Sequence, residues 1–383
     1  MPLLPTDEEA ALRSAVRAIA GSFGWEYYTK MARQYQQPVD LMAQLGANGF
    51  LGVHLPSEFD GGGEGLTELA IVVEEAAAAG CPVQQMIVHA IVGCILSRWG
   101  SDEQKLRWLP GLAAGEVTFA FSITEPDAGS NAHNITTTAR RDGDRYLING
   151  QKTFCSGADR ADAILVVART GTHERSGHGL LSLFIVDPNA PGLVRQHIPT
   201  APMVGGKSFQ LFFDDVEVSA DQLVGVENEG WRPLFDGLNP ERILAAATCN
   251  GLARFALDKA ARYANDRHVW GVAIGEHQGV AHPLAEAKIE LELARLMTAK
   301  ATALYDAGVD AGESTNIAKM ASADAAVHAI DQAIQVHGGN GMALETGLTD
   351  AYWIARLYRI APVSREMVLN YVAQHSLGLP RSY

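Results

Sequence analysis

The chain has 383 residues, 47% of them apolar and 19% charged, which suffices for two or three domains with a sizeable core and excludes collagen, coiled coil and bulk disorder. Thirty Lys and Arg stand against 44 Asp and Glu, a net charge of −14, and no basic run occurs. A surface for nucleic acid or anionic membrane is therefore not expected.

The first residues, Met1-Pro-Leu-Leu-Pro-Thr-Asp-Glu-Glu9, are acidic and lack the basic and apolar regions of a secretory signal, so a cytoplasmic protein is expected. From Glu8 to about Val117 the text is Ala-rich with helical spacing, as in Ala70-Ile71-Val72-Val73-Glu74-Glu75-Ala76, and it predicts several helices. Asp60-Gly61-Gly62-Gly63-Glu64-Gly65 resembles a phosphate cradle only superficially, because no strand runs into it and no Gly-Lys-Ser/Thr follows; an interhelical turn is expected. The longest apolar stretch, Met86 to Leu96, is broken by His89 and falls short of the roughly 20 residues that span a bilayer.

Near Val117 the period changes. Tyr146, Ile148, the run Ala163 to Ala168, Leu180 to Val186 and Phe209 to Phe213 are short apolar or alternating segments between turn residues, and they predict a mainly β domain. After Gly230 the helical period returns. Asn239-Pro240-Glu241 reads as a helix start, with a capping side chain, a proline at the first position and an acid on the positive end of the dipole. Helices are expected from there to about Asp266, from near His282 to Ala307 with Ile289, Leu293, Leu296 and Ala303 on one face, and from about Thr315 to His337. The last stops at Gly338-Gly339-Asn340-Gly341. The expected domains are 1–117 helical, 118–226 β and 227–383 helical. Cys81, Cys94, Cys155 and Cys249 show no zinc-ligand spacing, so free thiols in a reducing compartment and no metal site are expected.

Two segments of the β domain offer chemistry. Phe121-Ser-Ile-Thr-Glu-Pro-Asp-Ala-Gly-Ser130 places Thr124 and Ser130 in a turn, where hydroxyls and bare N–H groups either cap the turn or meet a polar ligand. Asn149-Gly150-Gln-Lys152-Thr-Phe154-Cys-Ser156-Gly157 again joins a turn, an aromatic and a hydroxyl beside a strand.

These segments, in this order, resemble the flavin-dependent acyl-CoA dehydrogenase superfamily over essentially the whole chain. Thr124 to Ser130 is similar to its TEPGAGSD signature and Asn149 to Ser156 to its NGxKxWIT segment. Arg267-His-Val-Trp270-Gly271 with Glu276-His277-Gln278 resembles its RxxFG...HQ stretch, and Gln335 to Gly341 its QxxGGxG turn. The resemblance implies an α+β fold with an N-terminal helical domain, a central β-barrel-like domain and a C-terminal four-helix bundle. It also implies FAD: Phe121, Thr124, Ser130, Phe154 and Ser156 against the isoalloxazine, with Ser130 also near the CoA. Phe154 replaces the usual Trp and Ser156 the usual Thr, keeping the apolar cover and the hydroxyl. Arg267, Gln278, Gln335, Gly338 and Gly339 would hold the FAD of a neighbouring subunit, with Ser364 and Glu366 adding cofactor contacts. A homo-oligomer, a tetramer, is therefore implied.

Family members abstract the α-proton of an acyl-CoA with a Glu in a YEGT segment. Here that text is Tyr358-Arg-Ile-Ala361-Pro362-Val363-Ser364, and Pro362 replaces the Glu. A smaller branch, including isovaleryl- and long-chain enzymes, places the Glu before an Arg near the start of the first long C-terminal helix, where this chain has Glu241-Arg242. The resemblance thus implies Glu241 as base and Arg242 as a residue that steers the CoA or holds the carboxylate; the helix dipole and Arg242 are expected to keep Glu241 ionised in the free enzyme. A helix-start acid that only satisfies the dipole is the competing reading. Pro362 also lacks the backbone N–H that would help polarise the thioester carbonyl, and one such donor is worth about 3 kcal/mol; Val363 is the alternative donor. The implied reaction is FAD-dependent conversion of an acyl-CoA to a trans-2-enoyl-CoA in fatty acid metabolism, with electrons passed to an electron-transfer flavoprotein. An oxygen-using flavin oxidase or monooxygenase and a catalytically silent FAD-binding partner subunit remain open.

Overall fold

Residues 4–175, 177–201 and 206–381 are described by a computed structural model; Met1, Pro2 and Leu3 of the acidic N-terminus lie outside them. Helix α1 (Asp7–Arg33) starts at a capping box in which Thr6 Oγ1 accepts from Glu9 N at 3.1 Å and Glu9 accepts from Thr6 N at 3.3 Å. It breaks at Gly24, whose φ of 68° and ψ of −177° no other residue adopts easily. Helices α2 (Val39–Ala47), α3 (Leu66–Ala78), α4 (Gln85–Trp99) and α5 (Asp102–Ala114) follow. The Gly61 turn lies between α2 and α3 with its backbone against Leu55: a Cβ at Gly61 would stand 2.2 Å from the Leu55 carbonyl oxygen. Close backbone packing explains that glycine.

The sheet domain contains β1 (Phe119–Ser122), β2 (Thr138–Asp142), β3 (Arg145–Ser156), β4 (Ala163–Thr172), β5 (Gly179–Val186), β6 (Leu193–Ile198), β7 (Ser208–Ser219) and β8 (Leu223–Val224). Its order is β6-β7-β3-β2-β4-β5-β8, with β1 parallel to β4. The expected barrel-like shape is not a closed barrel: β6 and β8 are open ends, and a two-residue β8 is too short to close the ladder. Strand β4 is apolar on both faces because both are covered. Ile164, Val166 and Ala168 enter the core of the β domain, whereas Ala163, Leu165 and Val167 enter the core shared with the helices.

The C-terminal helices are α6 (Trp231–Asp266), α7 (Gln278–Asp306), α8 (Gly312–His337), α9 (Leu348–Tyr358) and α10 (Arg365–Tyr371), with a small hairpin of β9 (His268–Val269) and β10 (Val272–Ala273) between α6 and α7. The helix start expected at Asn239-Pro240-Glu241 is not one. Helix α6 begins at Trp231 and carries Pro240 inside it. Proline cannot donate to the carbonyl one turn back, and Tyr305 Oη from α7 takes that place, donating to the Asp236 carbonyl at 3.1 Å. Small residues let α6 approach α3: a Cβ on Gly251 would meet the Glu74 carbonyl oxygen at 2.4 Å. Beside this contact, Glu74 and Glu75 of α3 pair with Arg13 of α1 and Arg254 of α6, Glu75 also with Arg17 of α1, and Glu74 with Arg295 of α7, which locks the N-terminal helices to the C-terminal ones.

Candidate active site

The two polar loops of the sheet domain are joined by a buried ion pair. Lys152 Nζ lies 2.8 Å from Glu125 Oε1 and donates to the Ile123 carbonyl at 2.9 Å. Glu125 also accepts from the N–H groups of Thr136 at 2.7 Å and Thr137 at 3.0 Å and from Thr136 Oγ1 at 2.8 Å. Burial alone would raise the Glu125 pKa; Lys152 and these donors outweigh it and bring it down to about 2. Burial lowers Lys152 to about 8 against the pull of Glu125. Thr153 N donates to the Thr124 carbonyl at 2.8 Å, closing the link between the loops. The sequence signal for this clamp was a lysine within a half-apolar strand and a glutamate three residues past β1, and neither was assigned a role from sequence.

On this frame stand the five ring-facing candidates. Phe121, Thr124 and Ser156 are half-buried and Ser130 is exposed. Phe154 is 63% exposed and has a φ of 56°, at a register shift between β3 and β7. A bulky residue in the left-handed region is strained, and here the bulge turns an apolar ring outward. Strained backbone of this kind is a pointer to function.

Glu241 lies well inside α6. By surface it is half-buried, yet its carboxyl is enclosed by protein, and loss of water raises its pKa to about 7 against the attraction of Arg242 and Lys319. The expectation that the helix dipole and Arg242 hold it ionised is thus corrected. Glu241 is far from the ends of α6, and Arg242 forms no ion pair with it among the described residues: Arg242 Nη1 donates instead to Asn239 Oδ1 at 2.9 Å, and its Nε is buried without a partner. On α8, which packs against α6, Lys319 is buried and its Nζ donates to the Val363 carbonyl oxygen. The N–H of Val363 takes no partner among the described residues. Ser364 Oγ caps α10 by accepting from Met367 N at 3.3 Å, and Glu366 is exposed on that helix.

The remaining candidates, Arg267, Gln278, Gln335, Gly338 and Gly339, are all exposed. Tyr263 of α6 stacks on His337 of α8 with centroids 4.3 Å apart and accepts from Asn340 Nδ2 at 3.2 Å, which joins the α6 end bearing Arg267 to the glycine turn. The β9–β10 hairpin folds back through Ile274 N, which donates to the Arg267 carbonyl at 2.8 Å, and leads to Gln278 at the start of α7. Arg267 makes no ion pair among the described residues. Gly338 needs its positive φ of 57°, but a Cβ on Gly339 would meet nothing within 4 Å. Contacts inside the chain therefore do not explain that second glycine.

Family models match along the whole length: "Acyl-CoA dehydrogenase, N-terminal domain" over residues 6–116, "middle domain" over 120–216 and "C-terminal domain" over 228–377. Acyl-CoA dehydrogenase FadE12 of Mycobacterium tuberculosis is 52% identical over 383 residues, covering 99% of this chain and 98% of that protein. Among solved structures, a glutaryl-coenzyme A dehydrogenase in complex with glutaryl-CoA is 29% identical and superposes with a TM-score of 0.93 over 100% of this chain and 98% of the other. The FAD complex of PigA is 25% identical, with a TM-score of 0.91 over 99% and 100%.

Proposed function

Because the chain belongs to the acyl-CoA dehydrogenase family, we propose that it holds FAD and desaturates the α,β bond of an acyl-CoA thioester, with Glu241 as base. One observation carries the assignment of the base: an enclosed carboxylate whose pKa is raised to about 7 stands at position 241, while Pro362 has no acid function. A general base works best with a pKa near the operating pH.

The residues present fit FAD. An outward aromatic at Phe154, hydroxyls at Thr124, Ser130 and Ser156, and the half-buried Phe121 offer a flat apolar and polar wall. Arg267, Gln278, Gln335 and the Gly338–Gly339 turn offer a cation, amides and an uncrowded backbone that a pyrophosphate could approach; they would serve the FAD of a second copy, which makes an oligomer, a tetramer, part of the proposal. Glu366 would belong to this set, whereas the oxygen of Ser364 already caps α10. Bound FAD would supply the two-electron acceptor for the hydride leaving the β-carbon.

The chain's own residues handle the proton. Glu241 takes the α-proton on a carboxylate oxygen, and the acyl chain excludes water from that exchange. Negative charge then gathers on the thioester oxygen. Pro362 cannot meet it, and the unpartnered Val363 N–H is the donor we assign to it. The free Nε of Arg242 is a donor for the polar CoA arm.

Replacing Glu241 by Gln tests the base. Flavin reduction by an acyl-CoA, followed anaerobically by stopped flow, is expected to slow by at least about a hundredfold with FAD retained; an unchanged rate would exclude Glu241. With wild type, electrons are expected to pass to an electron-transfer flavoprotein rather than to oxygen, and rapid oxygen consumption would turn the assignment to an oxidase.

A further inference from the structure

Lys319 is 1% exposed on α8, and its Nζ donates to the carbonyl oxygen of Val363, in the segment that carries Pro362. Nothing in the reaction just described requires a buried ammonium at that place. Removing a lysine from water is costly unless the charge is used, and a polar residue meant only to satisfy one carbonyl need not be charged. Helix α8 packs along α6, and the groups whose charges act on Lys319 are Glu241, Arg242 and Cys249 of α6 and Asp324 of α8; the proposed base feels Lys319 and Arg242 in turn. The thiol of Cys249 is pushed up to about 12 by burial and stays neutral, so it gives Lys319 no counter-charge. Asp324 is already engaged by Arg359 at 2.8 Å and Arg365 at 2.9 Å.

Building on the assignment of Glu241 as base, we infer that Lys319 is a positioning residue that ties the Pro362–Val363 segment to α8 and, from the helix packed against α6, supplies a positive charge to Glu241. The two functions belong together. Holding the Val363 carbonyl orients the peptide whose N–H is left for the thioester oxygen, and the same ammonium favours the carboxylate form of the base. Burial lowers Lys319 to about 8, which leaves it mostly protonated at neutral pH.

Three substitutions divide these roles. Lys319→Gln keeps a donor for Val363 and removes the charge, Lys319→Met removes both, and Lys319→Arg keeps both. The readout is the titration midpoint of the Glu241 carboxyl in the FAD-loaded protein, measured by infrared difference spectroscopy with Glu241→Gln as the blank. An opposite charge nearby lowers a carboxyl midpoint, so its loss raises it: Lys319→Gln should shift the midpoint up by about one unit, and Lys319→Arg should leave it near wild type. The pH limb of flavin reduction should move with it. Lys319→Met should show the same shift with a further loss of rate at saturating pH. Equal midpoints in wild type and Lys319→Gln would overturn the inference, even if the rate fell. The titration needs no substrate. A wild type that no acyl-CoA reduces would therefore sink the proposed reaction while the midpoint still decides the role of Lys319.

Discussion

At the scale of single residues, the candidate for the base was legible and its environment was not. The pair Glu241-Arg242 and the proline at position 362 pointed to Glu241, but Asn239-Pro240-Glu241 also reads as a helix cap and so predicted an ionised acid at a dipole end. Enclosure inside α6 weakens that expectation, because the carboxyl loses water and makes no ion pair among the described residues, which raises its pKa to about 7. Two outcomes follow. The base acts only when ionised, so the rate of flavin reduction should rise with pH through a limb near 7, the value to which burial raises Glu241; a limb near 4 would mean that the carboxyl is solvated after all. The second concerns folding. An acid whose folded pKa exceeds its unfolded one, here about 7 against 4.5, destabilises the fold progressively as pH rises between those values. The cost above pH 7 is on the order of 3 kcal/mol. Glu241→Gln removes the ionisable group, so at pH 8 it should melt no lower than wild type while losing activity. A clear drop in melting temperature would show that the carboxylate contributes to stability instead.

At the scale of elements, the helix-strand-helix partition could be read from periodicity, while the start of α6 could not, since a proline inside a helix is normally a break. What makes it tolerable is a side chain from another helix, distant in sequence. Tyr305→Phe should leave the Asp236 carbonyl short of a partner and cost about 1 to 2 kcal/mol, read as a lower melting temperature; an unchanged melting temperature would mean that water replaces the hydroxyl. The clamp between β1 and β3 was hidden for the same reason, because only the fold brings Glu125 to Lys152. Lys152 is fully buried and Glu125 3% exposed, and removing one partner of such a pair leaves an uncompensated charge. Lys152→Met is expected to cost roughly 3 kcal/mol and to weaken FAD retention by loosening both loops. Lys152→Met with Glu125→Leu should recover much of the stability, and no recovery would argue that the lost packing, rather than the stranded charge, was responsible.

At the scale of the whole molecule, the apolar face of α7 was visible in the sequence as Ile289, Leu293 and Leu296, but the sequence could not say what it covers. In the single chain it covers nothing: these residues are 61%, 64% and 51% exposed. Among the described residues, no helix is long and apolar enough to cross a membrane, so this stripe is not part of a membrane span. Residues spaced by four and three positions share one side of a helix, and a contiguous exposed stripe of this kind marks an interaction surface. The hairpin with Trp270, 90% exposed, precedes the same helix and adjoins Arg267. In the oligomer proposed above, a second copy on this face would bury the stripe, and the proposal further requires that Arg267, Gln278 and the glycine turn reach a neighbour's cofactor. Leu293→Asp tests both consequences together. Leu293 is exposed on α7 and is none of the proposed catalytic groups, so a folded variant should be smaller than wild type by light scattering and should lose FAD at concentrations where wild type retains it. A variant that remains fully assembled would show that α7 is not the interface. One that separates yet keeps its FAD would show that each chain holds the dinucleotide by itself, leaving Gly339 and Arg267 to be explained in another way.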